Sequence, residues 1–228
     1  EADLVILAGV PCDFRLDYGN HITRKANYIS INRSKKDLRK NRRPTLGVLC
    51  DPQTFLIQVA DRMGKNAARR GDWIARLRDR NDDRNAEIAT MAEEAIEPLN
   101  PLDVCRKMDK HLAEKSILVG DGGDWVATAA YTVKPRAPLT WLDPGVLGTL
   151  GVGAGFAIGA KLVNPGHDVW LIYGDGAAGF SISEIDTMVR HNLPVIAVVG
   201  NDAGWTQIAR DQEVIFEDDV GCTLTRND

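Results

Sequence analysis

The stretch DVWLIYGDGAAGFSISEIDTMVRHNLPVIAVVGND, residues 168–202, decides the fold class. It holds two short apolar runs, DVWLIY (168–173) and PVIAVVG (194–200). Both are β-rich and apolar at nearly every position, the pattern of strands buried on both faces. The stretch between them predicts a helix at about 181–192. Each run ends in polar loop residues: Gly174-Asp175-Gly176 after the first, Asn201-Asp202 after the second. The same alternation extends outward. A helix LDVCRKMDKHL precedes a strand SILVGD (116–121), PLTWLDPG leads into the glycine-rich TLGVGAGFAIGAKLV, and a further helix is expected from Trp205. Strand–helix–strand repetition predicts an α/β fold of parallel sheets with helices on both faces. Ligands of such sheets bind beyond the carboxyl ends of the strands. Asp121, Asp175 and Asn201 each follow a strand and are expected on that edge.

The N-terminal part reads as a smaller unit. Runs at 3–9, 27–32 and 45–50 end in Gly, Asn or Asp and predict buried parallel strands. Asp51-Pro52 then opens a helix, QTFLIQVADRM, with proline in the first turn. Residues 1–63 are thus expected to be the tail of a smaller, Rossmann-like α/β domain. Residues 64–100 crowd charges of both signs (Arg69, Arg70, Arg76, Arg78, Asp79, Arg80, Asp82, Asp83, Arg84). Trp73, Ile74 and Leu77 share one helical face, as do Ile88, Met91 and Ala95. The mixed signs predict a solvated linking helix rather than a nucleic-acid patch. Glu97-Pro98-Leu99-Asn100-Pro101 ends it and opens the larger unit, residues 101–228.

Bulk properties narrow the classes. The 228 residues are 44% hydrophobic and 26% charged, ordinary for a globular chain. A net charge of −4 argues against broad nucleic-acid attraction. No run of about eighteen apolar residues predicts a spanning helix. The opening EADLVILAGV lacks a basic signal-peptide region and reads as a strand entered mid-domain; TLTRND follows soon after the loop residues. The expectation is a piece of a longer protein. Cys12, Cys50, Cys105 and Cys222 form no CxxC pair, which favours a reducing compartment and disfavours zinc. His21, His111, His167 and His191 form no HExxH and no close pair.

Three readings compete for Asp175 and Asn201. Either could simply cap a turn. Gly174-Asp175-Gly176-Ala177-Ala178-Gly179 also fits the dinucleotide pattern G-x-G-x-x-G, with Asp202 placed as a ribose-binding acid, which would make an NAD-dependent dehydrogenase. A carboxylate inside that turn, however, would repel a pyrophosphate. The third reading puts a divalent cation between them. Mg²⁺ takes oxygen ligands from one or two protein groups, phosphates and water. Asp175 supplies a charged oxygen, Asn201 an amide oxygen, and the carbonyl near Ala203 a third. Gly176 and Ala177 then offer backbone N–H groups to the phosphates at a helix start.

GDG, twenty-four further residues and then a strand-ending Asn resembles the motif of thiamine-diphosphate enzymes. WLDPGVLGTLGVGAGFAIGAKLV, DGGDWVATAA, GNDAGWTQIAR, ADLVILAG and ISINR narrow the resemblance to the acetolactate synthase family, over essentially the whole chain. The resemblance implies thiamine diphosphate and Mg²⁺ as cofactors. It implies Asp175, Asn201 and Ala203 as metal ligands. It implies Gly174, Gly176, Ala177 and Asn201 on the cofactor, with Gly122, Gly123 and Asp124 as a second diphosphate-side loop. Gly148 would meet the aminopyrimidine through its backbone, and Leu150 would be the bulky residue that bends the cofactor. Without the resemblance, Leu150 reads as plain core. Trp205 and Gln207 would sit at the substrate mouth, or pack as ordinary first-turn residues.

The implied chemistry is carbon–carbon bond cleavage or formation on 2-hydroxyacyl-CoA or 2-keto acids. The activating glutamate of that chemistry belongs to an N-terminal domain supplied across a dimer interface. No segment here resembles it, so no catalytic residue is assigned, and Glu184 is expected to face solvent. Two positions depart from the pattern: Gly200 replaces an asparagine, and Asn32 stands where nucleotide-binding relatives carry an acid, which puts FAD or ADP binding in question. The implied partners are further copies of the chain, as a homodimer or homotetramer, with no nucleic acid and with membrane contact only through sequence outside this chain. The implied location is the cytoplasm, or the endoplasmic reticulum membrane in a eukaryote. A non-catalytic assembly domain is the remaining alternative.

Overall fold

The apolar runs become strands of two separate parallel sheets. The computed structural model describes residues 2–63 and 70–225. Arg69 and the first part of the expected linker, 64–69, lie outside the described residues. Contacts divide the chain into Glu1–Arg76 and Leu77–Asp228.

In the first unit, β1 (Leu4–Ala8), β2 (Asn27–Asn32) and β3 (Leu46–Leu49) pair in that order. The central strand gains cover from both neighbours, and Tyr28 and Ile31 on it are fully buried. Helix α1 (Pro52–Met63) starts where expected. Asp51 accepts the Thr54 N–H at 2.8 Å, and Pro52 spends a position whose N–H needs no partner.

Helix α2 (Gly71–Met91) runs 21 residues and buries Ile88 alone, as a charged, polar sequence dictates. In the second unit, Ile88 and Ala92 pack with Leu102. Asn100 caps α3 (Pro101–His111): its Oδ1 accepts from Leu102 N at 3.0 Å, and its amide donates back to the Met91 and Glu94 carbonyls.

The larger sheet has the order β5-β4-β6-β7, all parallel. Its strands are β4 (Ile117–Asp121), β5 (Trp141–Leu142), β6 (Val169–Gly174) and β7 (Ile196–Gly200). Alternate residues serve opposite faces. Ile117, Val119, Val169, Leu171 and Tyr173 pack against α5 (Gly153–Val163), α6 (Asp175–Ser181) and α7 (Glu184–Arg190). Leu118 and Ile172 pack against α3 and α4 (Asp124–Thr132). Helices cover both faces, as the near-continuous apolar runs require. The last helix, α8 (Thr206–Phe216), begins one residue after Trp205.

Two details differ from the sequence reading. The helix expected at 181–192 is α7, shortened to Glu184–Arg190, and a separate short helix, α6, precedes it at Asp175–Ser181. Tight bonds from Ile185 N to the Ile182 carbonyl and from Asp186 N to the Ser183 carbonyl replace an α-turn between them. The PLTWLDPG segment yields β5, too short for a periodicity argument and made a strand by pairing with Leu118 and Val119.

The topology places the site. From β4 the chain goes to β5 on one side and then to β6 on the other. The loops leaving β4 and β6 therefore diverge and leave a crevice at the carboxyl edge, the switch point where α/β sheets bind ligands.

Candidate functional site

A cleft of about 310 Å³ opens at this switch point. That lies at the lower end of the roughly 300–1,000 Å³ typical of small-molecule sites. Three strand ends, one loop and the start of a helix build it. β4 contributes Gly123, Asp124 and Trp125; β6 and α6 contribute Gly174, Asp175, Gly176 and Ala177; β7 and its loop contribute Gly200, Asp202 and Gly204. Gly148 and Leu150 enter from the loop before α5, and Trp205 and Gln207 from the start of α8.

Glycines permit the close approach of these backbones. Gly174 N donates to the Gly122 carbonyl at 3.0 Å, and a Cβ on Gly174 would lie 2.8 Å from that oxygen. Gly122, at φ +62, carries the Leu150 side chain directly above it; an added Cβ would overlap Leu150 Cδ2. The indole of Trp205 lies over Gly176, and that of Trp125 over Gly200, each in the space a Cβ would take.

The register of the sheet decides how Asp175 and Asn201 meet. Gly174 pairs with Gly200 across β6 and β7. The residues after that pair, Asp175 and Asn201, therefore leave the same edge side by side. Asp175 is half-buried, and its Oδ1 accepts from Gly176 N at 2.8 Å. Asn201 is exposed, and its Oδ1 accepts from Ala203 N at 3.0 Å. Ala203 adopts φ +55, and its carbonyl accepts from Leu224 N at 2.8 Å. The Asp175 and Asn201 oxygens brace their own loops, the Ala203 carbonyl takes part in a long-range tie to Leu224, and each keeps a second lone pair.

Of the residues read from sequence, Gly123, Asp124, Gly148, Leu150, Gly174, Asp175, Gly176 and Ala177 line one cleft. Gly122 lies under Leu150, while Asn201 and Ala203 flank the cleft on the β7 side. Glu184 is half-buried at the start of α7 rather than solvent-facing. It lies near the Tyr173 hydroxyl, whose pKa burial raises; a 3.1 Å bond to Ser181 acts the other way. Asp121 ends β4 at this edge, as expected, but is fully buried there.

Some features had no local signal. Asp124 is held by Arg210 of α8 at 2.7 Å, a pairing across 86 residues. Four carboxylates, Asp124, Asp175, Asp202 and Asp211, line the cleft. Among the described residues, no group of three or more His, Cys, Asp or Glu is placed to hold a metal ion. A cation here would draw on mixed oxygen donors.

Residues 120–226 match the family model described as thiamine pyrophosphate enzyme, C-terminal TPP binding domain. The chain is 47% identical over 233 residues to the 2-hydroxyacyl-CoA lyase 2 of Caenorhabditis elegans, covering 99% of this chain and 36% of that protein. It is 46% identical over 237 residues to the human protein of the same name, covering 100% of this chain and 37% of that one. It is 34% identical over 217 residues to the acetolactate synthase large subunit IlvG of Mycobacterium tuberculosis, covering 95% of this chain and 39% of that protein. The chain thus spans little more than a third of the length of the curated relatives it matches.

Proposed function

From the match of residues 120–226 to the C-terminal TPP-binding domain of the thiamine pyrophosphate enzymes, we propose that the chain is part of such an enzyme and that its cleft holds thiamine diphosphate through Mg²⁺. The carrying observation is the register of Gly174 with Gly200, which sets Asp175 beside Asn201 at the switch point. A hard cation there would take a carboxylate oxygen from Asp175, the amide oxygen of Asn201 and the free lone pair of the Ala203 carbonyl. Phosphate oxygens and water would complete the shell. The four carboxylates of the lining support a cation as well, because a bare diphosphate would meet charges of its own sign.

In this reading the backbone N–H groups of Gly176 and Ala177, with the Gly122–Gly123–Asp124 loop, hold the diphosphate. Leu150 and the backbone of Gly148 meet the ring portion. Trp205 and Gln207 stand at the mouth, where a substrate would enter. When bound, thiamine diphosphate supplies a nucleophilic carbon and an electron sink for making or breaking carbon–carbon bonds. The chain's own residues bind it, orient it and keep water from the rings.

The reaction class we infer is lyase or transferase chemistry on 2-hydroxyacyl-CoA or 2-keto acids, supported by the names of the relatives. Residues 1–63 would end a central domain, 64–100 would link, and 101–228 would form the diphosphate domain. The working unit would be a homodimer or homotetramer that completes the site across chains.

Calorimetric titration of thiamine diphosphate into the intact protein, with Mg²⁺ and then with EDTA, tests the assignment. Mg²⁺-dependent binding that Asp175→Ala abolishes is the expected result. Metal-independent binding of NAD, with none of thiamine diphosphate, would overturn it in favour of the Gly174–Gly179 dinucleotide turn.

A further inference from the structure

β4 ends in an acid that never reaches the cleft. Asp121 is fully buried, yet both of its carboxylate oxygens are used. Oδ1 accepts from Gly151 N at 3.0 Å, and Oδ2 accepts from Gly153 N at 2.7 Å. Gly153 opens α5, whose own N-cap residue, Val152, has no side-chain acceptor. The first N–H groups of a helix lack partners within it. Asp121 supplies the missing cap from another element, and its charge suits a helix start.

The fit is close. A Cβ on Gly153 would lie 2.6 Å from Asp121 Cβ and 2.9 Å from Leu171 Cδ1. A Cβ on Gly151 would lie 2.7 Å from Phe180 Cβ, and Gly151 adopts φ +86. The Gly151–Gly153 turn is therefore held at one height above β4. Leu150, immediately before it, is seated on Gly122 and lines the cleft.

A buried carboxylate is expensive unless its oxygens are satisfied. Burial raises the Asp121 pKa, and the two N–H bonds act against that rise. An amide of the same shape could accept from only one of the two N–H groups and would turn its own NH₂ toward the other. The site thus selects a carboxylate.

We propose that Asp121 is a positioning residue: by gripping the Gly151 and Gly153 N–H groups it sets Leu150 in the cleft, and so sets affinity for the part of thiamine diphosphate beyond its phosphates. This rests on assigning the cleft to that cofactor. The phosphate anchors Asp175, Gly176 and Ala177 all stand at the start of α6 and none is hydrogen-bonded to Asp121, while the Gly122–Gly123–Asp124 loop that follows Asp121 has ties of its own, the Gly174 N–H on the Gly122 carbonyl and Arg210 on Asp124.

The test is titration of the intact protein and its Asp121→Asn variant with two ligands, thiamine diphosphate and inorganic pyrophosphate, each with Mg²⁺. Asp121→Asn is expected to lose about 10-fold or more in affinity for thiamine diphosphate, the usual cost of removing a supporting partner, and to bind pyrophosphate as the unmutated protein does. Equal loss for both ligands, or no loss for either, overturns the proposal. Should Asp121→Asn fail to fold, Asp121→Glu keeps the carboxylate but shifts it by a methylene from the Gly151 and Gly153 N–H groups. The same split between ligands then supports the proposal, and equal loss for both or unchanged affinity for thiamine diphosphate overturns it. Failure of the unmutated protein to bind either ligand removes the cofactor assignment itself. Binding by that protein with Asp121→Asn unchanged removes this inference alone.

Discussion

Gly122 is where the cleft is least forgiving. Its φ of +62 disfavours any side chain, and Leu150 fills the space a methyl group would need. Gly122→Ala is expected to cost about 1–3 kcal/mol through backbone strain and overpacking, read as a lower urea midpoint. An unchanged midpoint would show that Leu150 can move away freely. Burial also sets the chemistry of the thiols. Desolvation pushes the Cys105 pKa up to about 12 and raises that of Cys12. A thiol reacts as its thiolate, so both stay inert at pH 8, whereas Cys50 is half-buried. Titration with a disulfide reagent should label Cys50 in the native protein and reach Cys12 and Cys105 only after denaturation. Rapid native labelling of Cys105 would contradict its burial on α3 in the cluster with Leu118 of β4 and Val126 and Ala129 of α4.

Helix α8 closes the site with little packing of its own. It buries none of its residues. Three ties hold its start: the Trp205 indole on Gly176, the Trp205 N–H to the Cys222 carbonyl at 2.8 Å, and Arg210 on Asp124. The ion pair is largely exposed on the arginine side, so it is worth about 0–1 kcal/mol. Amide exchange should therefore be fast in α8 and slow in β4 and β6, and Arg210→Ala should speed exchange in α8 without moving the global unfolding midpoint. Protection of α8 equal to that of β6 would mean that it is anchored by more than these ties. The contrast with β4 is one of cover: all five of its residues are buried by strands on both sides and helices on both faces.

In the larger unit, apolar side chains remain on the outer surfaces of several helices. Phe180 is 67% exposed, Val189 70%, Val214 85% and Phe216 71%. Exposed apolar surface beyond a few hundred Å² marks interaction sites. Sedimentation should show concentration-dependent self-association, consistent with a site shared between copies. A clean monomer at high concentration would count against that assembly. The family resemblance was legible in GDG, the Asn201 spacing and the glycine-rich 149–163 stretch, because strand ends and glycine turns are written in consecutive residues. Element types followed for the same reason: an apolar run buried on both faces leaves a continuous local pattern. The pairings were not written there. The Gly174–Gly200 register, the Asp121 grip on Gly151 and Gly153, the Asp124–Arg210 pair and the placement of Trp205 over Gly176 each join residues 26 to 86 positions apart. Such contacts depend on how strands order in the sheet and how closely backbones pass, and only the folded chain, packed to one arrangement, decides that.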